Sequence, residues 1–343
     1  MIEPPRAVVP GLGTPTDTTQ ATLAYSGVCV SRLVFGCEPL GGTDWGTVDI
    51  GAIQRAAAAA LDFGINFFDT AGVYGLGESE RNLRKALGVR IKETVICTKV
   101  GLRWNAIGQQ GRAVVRRDSS PASLNRMVEE SLARLGVDHI PVVLIHWPDP
   151  ETPLESSMEA LARLREQGKV GDVGLSNFAP AEIRQAHKQM ALSIAQVQYS
   201  LLRRECEDEF IPVCRSLGVG TMAWGVLAQG LLTGKYSQGS AFPENDRRRM
   251  HPNFDAVSRQ RGCLLNDSLR VIAQRHGVKP AQVAVRWVLD QTGVSAAIVG
   301  IKNCNQLHDM TEAAKLRLTS EDYRLLTTDP DCSVLPTGDA NAK

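Results

Sequence analysis

Eight cysteines are spread over 343 residues without a single Cys-x-x-Cys pair. A zinc site or a disulfide framework would need tighter, repeated spacing. The thiols therefore read as small apolar residues of a reduced, cytoplasmic protein. An excess of charge of either sign is also missing. The 38 basic residues face 37 acidic ones, a formal charge of +1. That balance gives no footprint for nucleic acid or for an anionic membrane surface. No apolar run approaches the ~20 residues of a membrane span. The proline-rich start, residues 1–23, lacks the apolar stretch of a secretory signal and reads as a flexible tail. Finally, no G-x-G-x-x-G turn follows the first strand, as an open dinucleotide-binding sheet would require. The nearest match, Gly75-Leu76-Gly77, follows the second strand and has no third glycine.

What is present is alternation. Hydrophobic content is 43% and charged content 22%, ordinary for a globular chain. Short apolar runs read as strands at Leu33–Gly36, Ile65–Asp69, Thr94–Lys99, Ile140–His146, Asp172–Ser176, Ile194–Tyr199, Gly220–Trp224 and Ala296–Gly300. Helical patterns separate them. Thr47–Phe63 carries an alanine run, and Ser79 is placed to cap a helix through Leu87. Ser120-Pro121 opens a helix that Gly136 ends. Pro153–Gln167 sets Leu154, Met158, Leu161 and Leu164 on one face. Residues 101–120 and 237–258 read as long loops. Eight buried strands with helical crossovers predict an α/β fold, a (β/α)8 TIM barrel over residues 24–328. Residues 329–343 are expected to form a C-terminal tail.

Three of these runs, Ile65–Asp69, Thr94–Lys99 and Ile140–His146, have at or just past their ends a polar residue able to do chemistry: Asp69, Tyr74, Lys99 and His146. Strand C-termini of such a barrel meet at one rim, where catalytic groups gather. A tyrosine with a lysine, an aspartate and a histidine there makes a proton donor with tuning partners.

The segment Asp69-Thr70-Ala71-Gly72-Val73-Tyr74-Gly75 resembles the D-T-A-x-x-Y-G segment of the aldo-keto reductase superfamily. Cys97-Thr98-Lys99, His146-Trp147-Pro148-Asp149 and Gly174-Leu175-Ser176-Asn177-Phe178 agree with further family segments in the same order. Within the superfamily the chain is most similar to bacterial general-stress reductases and, more distantly, to potassium-channel β-subunits. The resemblance implies reduction of an aldehyde or ketone, with Tyr74 as general acid. A free tyrosine has a pKa of ~10, and Lys99 is expected to lower it. Asp69 would pair with Lys99, and His146 would aim a ring N–H at the substrate oxygen.

The same resemblance implies NADP(H). Ser176, Asn177 and Gln196 offer amide and hydroxyl groups suited to a carboxamide, and Trp224 offers a flat face for the nicotinamide. Leu227, Gly230 and Lys235 match the pyrophosphate loop, although a proline common there is Val226 here. Gly300 and Lys302 lead into a helix N-terminus and match a site for the adenosine 2′-phosphate. Gln306 and Asp309 match adenine positions. Glu38, Trp45, Trp104 and Trp147 are expected around a small-molecule carbonyl substrate, and Arg103, Arg112, Arg116 and Arg117 could meet an anionic one. Two other readings stand beside this one. One is a ketoreductase on a deoxysugar or polyketide, the other a redox-sensing regulatory subunit with little turnover.

Overall fold

Strands that alternate one residue in and one out explain both the core and the polar mouth of this protein. The computed structural model describes residues 19–107, 113–236 and 239–327. A short hairpin comes first, β1 (Gln20–Thr22) against β2 (Cys29–Ser31). Next are β3 (Leu33–Gly36), β4 (Phe67–Asp69) and β5 (Val95–Val100). A second hairpin, β6 (Leu102–Ile107) with β7 (Ala113–Arg117), interrupts the series. It continues with β8 (Ile140–Ile145), β9 (Val170–Ser176), β10 (Ile194–Gln198), β11 (Gly220–Trp224) and β12 (Val294–Gly300). Strands β3, β4, β5, β8, β9, β10, β11 and β12 close as a parallel barrel. This is the expected (β/α)8 architecture.

Successive strand side chains face opposite ways. Phe67, Cys97, Val142, Leu144, Ile194 and Met222 therefore point inward and form one apolar plug. One period further toward the C-terminal ends, the same faces carry Asp69, Lys99, Gln196 and Trp224. Residues of opposite parity, such as Phe68, Ile96 and Val143, belong to the outer core under the helices. Leu23 and Val30 join the inner plug. Leu23, inside the segment expected as a tail, is thus part of the barrel's inner core. Residues 1–18 and 328–343, the bulk of both expected tails, lie outside the described residues.

The outer layer holds α1 (Ile50–Ala59), α2 (Glu78–Leu87), α3 (Pro121–Leu135), α4 (Leu154–Glu166), α5 (Pro180–Gln189), α6 (Phe210–Ser216), α7 (Ala256–His276), α8 (Pro280–Asp290), α9 (Cys304–Lys315) and α10 (Ser320–Thr327). Local chemistry starts and stops them. Asp49 accepts from Ala52 N–H at the head of α1, and Gly136 (φ 69°) ends α3. On α3, Leu124, Val128, Leu132 and Leu135 face the core, each leucine stabilising by roughly 1.5–3 kcal/mol when fully buried.

Three expectations need correction. Ser79 is not the cap of α2, which starts at Glu78. Ser79 is buried, its hydroxyl lies 2.9 Å from the Thr70 hydroxyl, and it donates to the Cys37 carbonyl at 2.7 Å. Residues 101–120 are not a plain loop but contain the β6–β7 hairpin; Arg112 lies outside the described residues. The stretch 237–258 contains two 3-10 turns, Arg247–Met250 and Pro252–Phe254, fixed across the barrel mouth by pairing of Trp45 with Asp246.

Candidate active site

At the C-terminal rim, Lys99 reaches three oxygen atoms. Its Nζ lies 2.7 Å from Asp69 Oδ2, 3.0 Å from the Thr70 carbonyl and 3.2 Å from the Tyr74 hydroxyl. Both charged side chains are about 95% buried, so neither can be left alone without a large desolvation penalty. Gln196 completes the set by donating to Asp69 Oδ1 at 2.6 Å. Lys99, Asp69 and Gln196 thus come from β5, β4 and β10 and meet inside the barrel.

Tyr74 sits on a loop, not a strand, and two glycines set its position. Gly75 has φ +58°, and a Cβ there would lie 2.1 Å from the Gly41 carbonyl oxygen. A Cβ on Gly41 would lie 2.7 Å from Gly75 N. Only two backbones without side chains can cross this closely. The crossing swings Tyr74 over Lys99 and sets its ring edge-on to His146, with centroids 5.7 Å apart.

Burial raises the Tyr74 pKa above its ordinary value of 10; Lys99 opposes this, while Asp69 and Glu38 add to it. Lys99 lowers the Tyr74 pKa as expected, but burial outweighs it and the net shift is upward. The ammonium limits an increase that burial imposes, and the phenol stays protonated throughout the neutral range. Burial also opposes the Lys99 ammonium, but Asp69 and Tyr74 hold its pKa above the usual 10.5. His146 is pushed well below 6.5 by burial and by Lys99, so its ring is neutral. Its Nδ1 is buried without a hydrogen-bond partner among the described residues. A buried polar atom left this way costs about 1–3 kcal/mol until something bonds it.

A second network joins the next strand ends. Asn177 (φ 64°) donates to the His146 carbonyl and to Ser176 Oγ, both at 3.0 Å. It accepts from Trp224 Nε1 at 3.1 Å. The ends of β8, β9 and β11 are thereby tied together, with the half-buried Trp224 ring at the rim.

Beyond Trp224 the chain turns sharply. Ala228 (φ 47°), Gln229 (φ 54°) and Gly230 (φ 96°) are consecutive left-handed residues following Leu227. A non-glycine residue held so costs on the order of 1–3 kcal/mol and persists only where its surroundings dictate it. Here Asn253 bonds the Gln229 side chain and Asn266 bonds the Leu231 carbonyl. Lys235 is exposed nearby in sequence. After Gly300, the Lys302 N–H donates to Gln306 Oε1, and Asn303 caps α9. Asp309, expected near an adenine, is ion-paired with Lys279 at 2.6 Å.

The three rim tryptophans separate. Trp104 lies beneath the tyrosine loop with Arg134 5.9 Å from its ring, and Trp147 carries Arg117 at 5.5 Å. Trp45 instead stands among cations: Arg247 at 4.6 Å, Lys302 at 5.3 Å and Arg248 at 5.5 Å. It belongs with Lys302 rather than with the other two, because its loop is held by Asp246. Glu38 pairs with Arg247, and burial raises its pKa against that partner. Arg103 is paired with Asp118, whereas Arg116 is exposed on β7. Sequence reasoning missed Arg247 and Arg248; the run Asp246-Arg247-Arg248-Arg249 inside a polar loop was the available signal.

Chemically, the rim offers a protonated phenol, a fixed ammonium beside it and a neutral imidazole, together with a cluster of basic groups, Arg247, Arg248 and Lys302, around Trp45. Among known proteins, residues 32–328 match the Aldo/keto reductase family. The chain is 32% identical over 310 residues to aldo-keto reductase YhdN of Bacillus subtilis (strain 168), covering 90% of this chain and 92% of that one. It is similar to the structure of glycerol dehydrogenase AKR11B4 from Gluconobacter oxydans, with TM-score 0.83, 33% identity, and 90% and 94% of the two chains covered. It is also similar to the holo form of aldo-keto reductase AKR11C1 from Bacillus halodurans, with TM-score 0.74, 26% identity and coverage of 90% and 95%.

The ion pair gives a stability prediction. A lysine whose pKa is raised in the folded state stabilises fully below its unfolded value and loses that contribution as pH climbs through the folded one. Asp69→Asn should therefore destabilise the protein by about 3–5 kcal/mol at neutral pH. The gap from the parent should narrow above about pH 10.4, where the unfolded lysine discharges. Urea unfolding at both pH values checks this; a neutral-pH loss under about 1 kcal/mol would contradict a mutually dependent buried pair.

Proposed function

Because the chain belongs to the aldo/keto reductase family, oxidoreductases acting on carbonyl and alcohol groups, we propose that it reduces an aldehyde or ketone to the alcohol with NADPH, Tyr74 giving the proton. The observation that carries the reading is Lys99, whose ammonium touches both Asp69 and the Tyr74 hydroxyl. A bound nicotinamide cofactor supplies the hydride for the carbonyl carbon. The chain's own residues manage the oxygen. Tyr74 transfers its proton there, and the resulting phenolate faces the Lys99 ammonium in a site of low dielectric. His146, neutral, contributes a ring N–H to the same oxygen. Asp69 and Gln196 keep Lys99 charged and aimed. The likeness to a glycerol dehydrogenase fits a small hydroxy compound as partner of the reaction in either direction.

The cofactor residues fit the group. Ser176 and Asn177 bring hydroxyl and amide beside the Trp224 ring. Gln196 stands behind them, bonded to Asp69. The strained turn at 228–230 and Lys235 suit a pyrophosphate. Support for NADPH over NADH comes from Lys302. Arg247 and Arg248 each have a carboxylate partner, but among the described residues no carboxylate lies within ion-pair distance of the Lys302 ammonium. Burial and Arg248 lower its pKa, so a phosphate there gains a poorly neutralised cation.

Two outcomes are expected. Tyr74→Phe should lose on the order of 100- to 10000-fold in turnover while NADPH affinity, read by fluorescence titration, stays unchanged. A variant keeping more than about half of the parent rate would contradict general-acid catalysis by Tyr74. Lys302→Ala should weaken NADPH binding by roughly 10- to 150-fold, the equivalent of one charge-assisted hydrogen bond of ~1.5–3 kcal/mol. NADH binding should not change. Equal weakening of both cofactors would mean that Lys302 supports its loop instead.

A further inference from the structure

Behind the barrel wall, on the side of β5 opposite Lys99, a second buried ion pair underlies the tyrosine loop. Glu80, in the first turn of α2, has a fully buried side chain, and Arg134 near the end of α3 is only 10% exposed. Glu80 Oε2 accepts from Arg134 Nε, and Glu80 Oε1 accepts from Thr98 Oγ1 at 2.6 Å. Thr98 is the residue before Lys99 in β5, with its side chain on the outer face. Arg134 is oriented further by Ser131 Oγ, 3.2 Å from its Nη2.

Arg134 also touches the tyrosine loop on both sides of Tyr74. A Cβ built on Gly72 would lie 3.0 Å from Arg134 Nη2, and one on Gly77 would lie 2.7 Å from its Cδ. Both glycines therefore rest directly on the arginine. Burying two charges here is not the cheapest way to fill space, since well-packed apolar residues would stabilise as much or more. An ion pair adds direction. Its hydrogen bonds fix Arg134 relative to β5, and the arginine in turn fixes the height of residues 72–77 above that strand.

We infer that Glu80 and Arg134 are positioning residues for Tyr74, setting its hydroxyl against Lys99 through the loop that Arg134 carries. This rests on the proton-donor reading of Tyr74. The pair does not touch substrate, cofactor or the reacting oxygen. Its effect reaches the reaction only through the phenol.

A double-mutant cycle separates this role from ordinary structural damage. Arg134→Met and Thr98→Val are made in the parent and in the Tyr74→Phe background, and NADPH-dependent reduction of 4-nitrobenzaldehyde is followed. Misplacing a reacting group by about 1 Å can cost up to about 100-fold. Arg134→Met should accordingly lower kcat by about 10- to 100-fold with KM for NADPH unchanged. Thr98→Val, which keeps both charges, should lower it less, and it carries the same test if Arg134→Met does not fold. In the Tyr74→Phe background, measured at high enzyme concentration, neither substitution should reduce the residual rate further. Losses that multiply in that background, or kcat within about 2-fold of the parent for both single variants, would overturn the inference. A fully active Tyr74→Phe would overturn the donor reading, and this one with it. That outcome is distinguishable because it requires no change at Arg134 or Thr98.

Discussion

An ammonium inside a barrel survives only if its surroundings replace the water it has lost. Lys99 meets that condition with Asp69, the Thr70 carbonyl and the Tyr74 hydroxyl. Much of the architecture follows from it. Asp69 must end β4 facing inward, which fixes that strand's parity, and Gln196 must reach across from β10 to occupy the second carboxylate oxygen. Tyr74 comes from a loop that brings its hydroxyl within 3.2 Å of the Lys99 ammonium. That loop can approach only because Gly41 and Gly75 allow two backbones to cross.

The strand-end residues were legible because a period of two is decided by local sequence. Once Phe67 faces the plug, Asp69 must face the mouth, and the same holds for Cys97 and Lys99. The loop tyrosine, just past the Ile65–Asp69 run, was legible as a candidate from its place, and as a proton donor by resemblance. Contacts made between distant segments were not. Ser79 has the right spacing for a cap, and only the fold reveals that its hydroxyl is taken by Thr70 and Cys37. The β6–β7 hairpin hides because its strands carry arginines and a tryptophan without clean alternation. The net direction of the Tyr74 pKa is hidden for a related reason: sequence names Lys99, which lowers it, but not the burial that outweighs it.

The cofactor end of the site obeys a different logic. Beside the strand residues Ser176, Gln196 and Trp224, its basic groups Arg247, Arg248 and Lys302 lie on connections held by contacts between loops. Asp246 is central, pairing with Trp45 and holding Arg248. Glu38 holds Arg247. Trp45 thereby stands beside Lys302, apart from Trp104 and Trp147, which pack against Arg134 and Arg117. The rim thus has two parts, the buried Lys99–Asp69 cluster under Tyr74 and the basic cluster around Trp45. Asn177, bonded to both His146 and Trp224, is the joint between the two halves.

The central claim is that the Lys99 charge makes the Tyr74 proton transferable against the burial that holds it. The pH dependence of kcat/KM for the parent and for Lys99→Met tests this most directly. With the ammonium gone, nothing opposes burial at the phenol. Turnover near neutrality should fall by about 100-fold or more, and the alkaline limb should move to higher pH. Overlaying profiles for the two proteins would contradict the account, because Lys99 would then serve only to hold Asp69.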